Sequence, residues 1–143
     1  MTIAVETITG DRDTDALLQD EQVNQYIQPA IICDLDGTLV KHSNPVEVQN
    51  PNLELKVLSG THDRLREWDS KGYYIIITTG RKKSAREATK KQLSRAGILY
   101  DELIMGFGGG DRIMINDRKP DSKKDTVFAI NIKRNKGIED VEL

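Results

Sequence analysis

The sequence predicts an α/β domain: a mostly parallel central sheet with helices on both faces, arranged as a three-layer sandwich. Three observations support this. Short unbroken apolar runs recur along the chain, as expected for strands buried on both faces. Helix-like segments alternate with them, the pattern of βαβ units. Several of the apolar runs end in polar residues suited to ligand binding, and sheets of this kind bind ligands at the carboxyl ends of their strands.

Composition bounds the rest. A chain of 143 residues is one domain by default. With 37% hydrophobic and 31% charged residues and a mean hydropathy of -0.53, the chain is polar but globular and has no apolar run that spans a bilayer. The opening MTIAVETITGDRDTD lacks the basic and apolar regions of a signal peptide. A net charge of -2 gives no general drive toward nucleic acid or an anionic membrane. Cys33 is the single cysteine, so no internal disulfide can form; a reducing compartment, the cytoplasm, is the expected location.

Residues 1–29 read as an N-terminal appendage, with Leu17, Leu18, Val23 and Ile27 on one face of a short amphipathic helix that Pro29 ends. Residues 30–143 are expected to form the main domain. AIICDL is its first strand, and KHSNPVEVQNPN a loop or small hairpin. GTHDRLREWDSKG is a helix capped by Thr61, with Leu65 and Trp68 inward and Gly72 at its end. YYIIITT is the second strand. SAREATKKQLSRAG is a helix with a Ser84–Glu87 capping box and Gly97 past its end. YDELIMG, RIMIND and TVFAINI are expected as the third, fourth and fifth strands.

On this frame Asp34 and Asp36 close the first strand, Thr78, Thr79, Gly80 and Arg81 the second, and Asn116 and Asp117 the fourth. All three groups are expected at one sheet edge. Such a group suits phosphoryl transfer. A carboxylate can attack phosphorus and form an acyl-phosphate. Attack of an anion on an anion calls for a hard cation, and Mg²⁺ takes carboxylates, phosphate oxygens and water. Asp34, a carbonyl near Asp36, and Asp117 could hold it. Asp36, two residues on, projects to the same side and could serve as acid and base. The Thr79 hydroxyl and the Gly80 amide could hold phosphate oxygens, with the helix start at Ser84 nearby.

DLDGT resembles the nucleophile motif of the haloacid dehalogenase superfamily of phosphatases and phosphotransferases. IIITTGR is similar to its second motif, and IMINDRKP to its acidic fourth motif, with Asn116 in the first acidic place. The resemblance covers roughly residues 30–132 and is greatest to small capless members from polysaccharide-biosynthesis and phage proteins. It implies a Rossmann-like fold, Mg²⁺, Asp34 as nucleophile, Asp36 as acid/base, Thr79 on the phosphate and Asp117 on the metal. The chain departs from the family at its third motif, a lysine after the third strand. That place reads GFGGGD, with Phe107 where lysine would sit. Lys119 is the first choice for the replacement cation and Arg81 the second, because Arg112 opens the expected fourth strand and would lie at its far end.

Plainer readings stand beside these. Asp34 and Asp36 could be solvated strand-end acids, Thr79 a turn cap, and Asn116–Asp117 a turn start. Cys33 reads as a core residue, since a cysteine phosphatase needs an arginine six places on and Leu39 sits there. His42 and His62 read as surface residues. Lys82, Arg86 and Lys90 form a basic helical stripe, by default a solvated face. No segment is long enough for a cap domain, so the site should be open, taking a large substrate or closing against another subunit of a homo-oligomer. The preferred reading is a Mg²⁺-dependent phosphatase of a small phosphorylated metabolite such as a sugar phosphate. The alternatives are a polynucleotide 3′-phosphatase, which the low aromatic content of 5% disfavours, and an inactive binding module.

Overall fold

A computed structural model of the protein describes residues 28–143, so the expected amphipathic helix with Leu17, Leu18, Val23 and Ile27 lies outside the described residues. The body follows the expected βαβ order. Strand β1 (Ala30–Asp34) leads through a 3-10 turn (Glu47–Gln49) to helix α1 (Thr61–Ser70). Strand β2 (Tyr74–Thr79), helix α2 (Arg86–Ala96) and strand β3 (Glu102–Met105) follow. The three strands pair in the order β1-β2-β3, both pairs parallel. In register, Asp34 faces Thr78 and Thr79 faces Met105, which brings the carboxyl ends of all three strands to one edge. The fold is therefore α/β and Rossmann-like, with no cap domain among the described residues.

The core explains why these segments fold as they do. Ile75 and Ile77 on the central strand are fully buried, with Leu35, Leu39 and Val40 from the turn after β1. Leu65 and Trp68 of α1 and Leu93 of α2 join the same cluster, as their helical spacing predicts. Cys33 is buried in it, and burial pushes its thiol up to about 12, consistent with a core role. The Trp68 indole N–H has no hydrogen-bond partner among the described residues.

Both expected helix caps are replaced. Gly60, with φ of 85°, stands at the N-cap of α1, and the Thr61 hydroxyl turns inward to donate to the Leu39 carbonyl at 2.7 Å. Ser84 makes no capping bond, because a 3-10 turn (Lys83–Ala85) precedes α2. Gly97 does end α2 in the left-handed conformation. His62 is half-buried rather than a free surface residue, and its Nε2 lies 2.7 Å from the Ala96 carbonyl.

The expected fourth and fifth strands, RIMIND and TVFAINI, are not formed. A parallel neighbour needs a crossover of a dozen or more residues, usually helical. The connection GFGGGD is short and glycine-rich, and cannot supply one. Ile115 and Phe128 consequently stand 93% and 81% exposed, and β1 is an edge strand with Ile32 uncovered.

The chain returns to the body at its C-terminal end. Ile138 is buried in the core and its N–H donates to the Ser59 carbonyl at 2.9 Å. The approach is close enough that a Cβ on Gly137 would lie 2.5 Å from that carbonyl oxygen, and Gly137 itself has φ of 92°. Gly137→Ala is therefore expected to destabilise the protein by more than the ~1–2 kcal/mol of a left-handed alanine alone. Chemical denaturation would measure it; a cost below that range would show that the return is not tightly docked.

Candidate active site

The site grows out of two strand ends. After Asp34 the chain turns back on itself. The Leu35 carbonyl accepts the N–H groups of Thr38, Leu39 and Val40, and the Gly37 N–H donates to the Val40 carbonyl at 2.7 Å. The Leu35 N–H donates to the Thr78 carbonyl, so the turn is hung from β2. Asp34 keeps an open face, and its Oδ2 accepts from the Thr38 hydroxyl at 3.4 Å. Burial by the surrounding atoms raises its pKa; the Leu35 N–H opposes the rise, the Asp36 charge adds to it, and the Arg112 charge and Thr38 oppose it.

Asp36 is held differently. Arg81 grips it with two parallel bonds, Nε to Oδ2 and Nη2 to Oδ1, both 2.8 Å. The Arg81 and Asp36 side chains are only 3% and 15% exposed. The Thr79 hydroxyl adds a longer contact to Asp36 Oδ2 at 3.4 Å and accepts the Arg81 N–H at 3.1 Å. The remaining guanidinium nitrogen of Arg81 donates to Thr89 at 3.0 Å and to Gln92 at 2.6 Å, both on α2. The Gln92 amide donates in turn to the carbonyls of Val48 and Asn50. A chain of hydrogen bonds thus runs from the 3-10 turn through α2 to Asp36.

The structure brings Asp34, Asp36, Thr79, Gly80 and Arg81 together. Thr79 is buried and faces Asp36, while Gly80 is exposed beside it. The sequence expectation puts Arg81 at the substrate, but it is spent on Asp36 and α2. Asp117 and Lys119 are not gathered with them. They pair weakly with each other at 3.9 Å, both largely exposed, on the segment that forms no strand. That failure of the fourth strand is the physical reason Asp117 is not at the edge. Asn116 bonds Thr126 on the same segment.

Other participants are not evident from sequence. Thr89 and Gln92 look like ordinary helix residues; polar side chains on the buried stripe of α2 are the signal. Arg112 is expected at the far end of a strand, but with no strand there its charge reaches Asp34. Its guanidinium is held by the carbonyls of Gly108 and Gly110 and lies 5.0 Å from the Phe107 ring centre. The glycine loop packs on the end of β2: the Phe107 N–H donates to the Thr79 carbonyl, and a Cβ on Gly80 would sit 2.9 Å from the Gly108 oxygen.

Mg²⁺ needs one or two carboxylates and fills its other positions with water and phosphate oxygens. The open carboxylate of Asp34 and the main-chain carbonyl of Asp36 are donors of that kind. The Asp36 carboxylate is taken by Arg81, and no group of three or more acidic, His or Cys side chains gathers as a metal site among the described residues. The donors present thus fit a cation held by one carboxylate and completed by the substrate.

Strand-end acids on a parallel α/β sheet, in a DLDGT turn facing a Thr79-Gly80-Arg81 turn, define a phosphatase of the haloacid dehalogenase superfamily. Residues 28–137 match the family described as polynucleotide kinase PNKP phosphatase domain, and the chain belongs to it. Solved structures are similar over part of their length. The Pnkp1/Rnl/Hen1 complex shares 28% identity over 61% of this chain and 31% of its own, with a TM-score of 0.49. The chain therefore spans about a third of that protein. A Vibrio cholerae protein shares 24% identity over 62% of this chain and 80% of its own, at 0.46. D,D-heptose 1.7-bisphosphate phosphatase from B. bronchiseptica, complexed with magnesium and phosphate, shares 21% over 59% of this chain and 52% of its own, at 0.43. No curated protein matches the chain.

Two outcomes are expected. Arg81→Ala strands the enclosed Asp36 charge and should cost about 3–5 kcal/mol in denaturant unfolding; a cost under about 1 kcal/mol would mean the pair is not structural. Asp34→Asn should raise Tm at neutral pH in metal-free buffer. A carboxyl raised on folding binds its proton more tightly in the native state, so its stability cost grows as pH rises from the usual carboxylate value through the folded one. The advantage of Asn should thus vanish below about pH 3, where both states are protonated. An advantage independent of pH would contradict burial as its cause.

Proposed function

We propose that the protein is a Mg²⁺-dependent phosphomonoester hydrolase that works through an aspartyl-phosphate on Asp34. The observation that carries this reading is the division of labour between two neighbouring carboxylates, Asp34 open and Asp36 clamped by Arg81. Asp34 attacks phosphorus and the P–O ester bond breaks. The leaving oxygen takes a proton from Asp36. A water then gives a proton to Asp36 and attacks the acyl-phosphate, releasing inorganic phosphate and restoring the Asp34 carboxylate. Since both Asp36 oxygens are engaged by Arg81, Asp36 must loosen one of those bonds to carry the proton. Bound Mg²⁺ would supply charge neutralisation between Asp34 and the phosphate. Asp34 and the Asp36 carbonyl would hold it, with Asp117 joining only if its segment moves to the strand ends. Gly80 offers an exposed main chain beside the phosphate position. The Arg112 charge acts to lower the Asp34 pKa, which supports Arg112, rather than Lys119 or Arg81, as the cation that serves Asp34.

The family match favours the phosphorylated end of a polynucleotide as substrate. The exposed Lys82 and Lys90 beside the site agree with it, although Arg86 and Arg95 of the same helix are spent on the Leu103, Leu53 and Pro51 carbonyls. A sugar phosphate is the second reading, favoured by the near-neutral net charge and sparse aromatic residues. The cytoplasm remains the proposed location. No helix among the described residues is long and apolar enough to cross a membrane.

Phosphate release should be measured from an aryl phosphate, a 3′-phosphorylated oligonucleotide and sugar phosphates, with Mg²⁺ or chelator. Hydrolysis that requires Mg²⁺ and falls by about a thousandfold or more in Asp34→Asn is expected. Oligonucleotide turnover that weakens steeply with salt would select the polynucleotide reading. Binding of Mg²⁺ without turnover of any substrate would sink the enzyme reading.

A further inference from the structure

The turn that carries Asp36 is braced from its outer side by a residue far along the chain. The Asn135 N–H donates to the Gly37 carbonyl at 2.7 Å. The Asn135 Oδ1 accepts the His42 N–H at 2.8 Å, across 93 residues of sequence. One residue therefore closes both ends of the segment that leaves the DLDGT motif. Arg134, beside it, packs its methylenes on the same turn: a Cβ on Gly37 would lie 3.1 Å from Arg134 Cγ.

Asn135 adopts φ of 65°, and among the described residues no other non-glycine has a positive φ. Asparagine tolerates that region better than most residues, yet it still carries strain. Strained residues persist where surrounding structure over-determines them, and they cluster at functional sites. Here the surroundings are plain. Ile138, three residues on, is buried in the core, and Gly137 sits against Ser59. The 134–138 segment is thus anchored on the body and reaches from there to the turn.

From these contacts we infer that Asn135 is a positioning residue for the catalytic turn. Arg81 fixes the Asp36 carboxylate from the α2 side, while Asn135 fixes the main chain immediately after it from the opposite end of the sequence. Asp34 and Asp36 must keep their relative placement while one attacks and the other transfers a proton. A small displacement of either carboxylate costs rate rather than substrate binding. This inference rests on the phosphatase reading for its kinetic consequence, but not for its structural one.

Three substitutions separate the bonds. Asn135→Asp keeps a side-chain acceptor and tolerance of the left-handed conformation. Asn135→Gly keeps the conformation and the main-chain donor but loses the acceptor. Asn135→Ala loses the acceptor and strains the backbone. Amide hydrogen exchange at residues 37–42 and steady-state kinetics on whichever phosphomonoester the native protein turns over should be compared. The His42 amide should exchange faster in the Gly and Ala variants and stay protected in the Asp variant. With activity, kcat should fall about tenfold in the Ala variant and less in the Gly variant, with KM within about twofold and the Asp variant near the native value. Should the native protein hydrolyse nothing, the phosphatase reading fails, while the exchange result still decides the brace. Unchanged His42 exchange in both the Gly and Ala variants would overturn the inference. So would a loss expressed in KM alone, or one that Asn135→Asp shares in full.

Discussion

The enclosed pairing of Arg81 with Asp36 is the interaction on which the site depends. Neither charge could remain so enclosed alone, because an unpaired ion in protein interior costs several kcal/mol. Each therefore dictates the position of the other. Asp36 follows β1 and Arg81 follows β2, so the pair also locks the two strand ends against each other. The fork geometry of a guanidinium, with two parallel bonds to one carboxylate, fixes orientation as well as distance. Thr89 and Gln92 take up the remaining donors and extend that constraint to α2 and the 3-10 turn.

The asymmetry of the two acids follows from this. Asp34 and Asp36 are alike in sequence, separated by one residue, and unlike in surroundings. Asp34 is left open, next to a carboxylate and within reach of a guanidinium. Asp36 is engaged on both oxygens. Two like groups held in different environments are available to different chemistry: Asp34 can meet an incoming group, while Asp36 is committed to Arg81. The DLDGT turn supplies the geometry: Gly37 has φ of 90°, a conformation that favours glycine, and it lies under the Arg134 side chain.

Much of this is legible in the sequence. The strand runs AIICDL, YYIIITT and YDELIMG form β1, β2 and β3, because short runs rich in branched apolar residues and bounded by turn residues favour a strand. The acids, Thr79 and Gly80 fall at the expected edge for the same reason. The role of Arg81 is not legible, since a guanidinium beside a phosphate site reads equally as ligand or as structural partner, and only burial decides. RIMIND and TVFAINI show the opposite failure. Their local pattern is strand-like, but a strand needs a neighbour, and the chain before Arg112 gives no covered route to one. Arg112 lies on that same stretch, so its effect on the Asp34 pKa is not legible from the sequence either. Asn135 leaves almost no local signal beyond an Asn-Lys-Gly turn, because its partners lie at Gly37 and His42.

The most direct measurement is mass spectrometry of the acid-quenched protein after brief exposure to a phosphomonoester it hydrolyses, with peptide mapping of the residues around Cys33. The mass of one phosphoryl group on Asp34, absent in Asp34→Asn, is the expected result. Turnover with no phosphorylated peptide, or with the group on any residue other than Asp34, would contradict the assignment of Asp34 as nucleophile and Asp36 as its clamped partner.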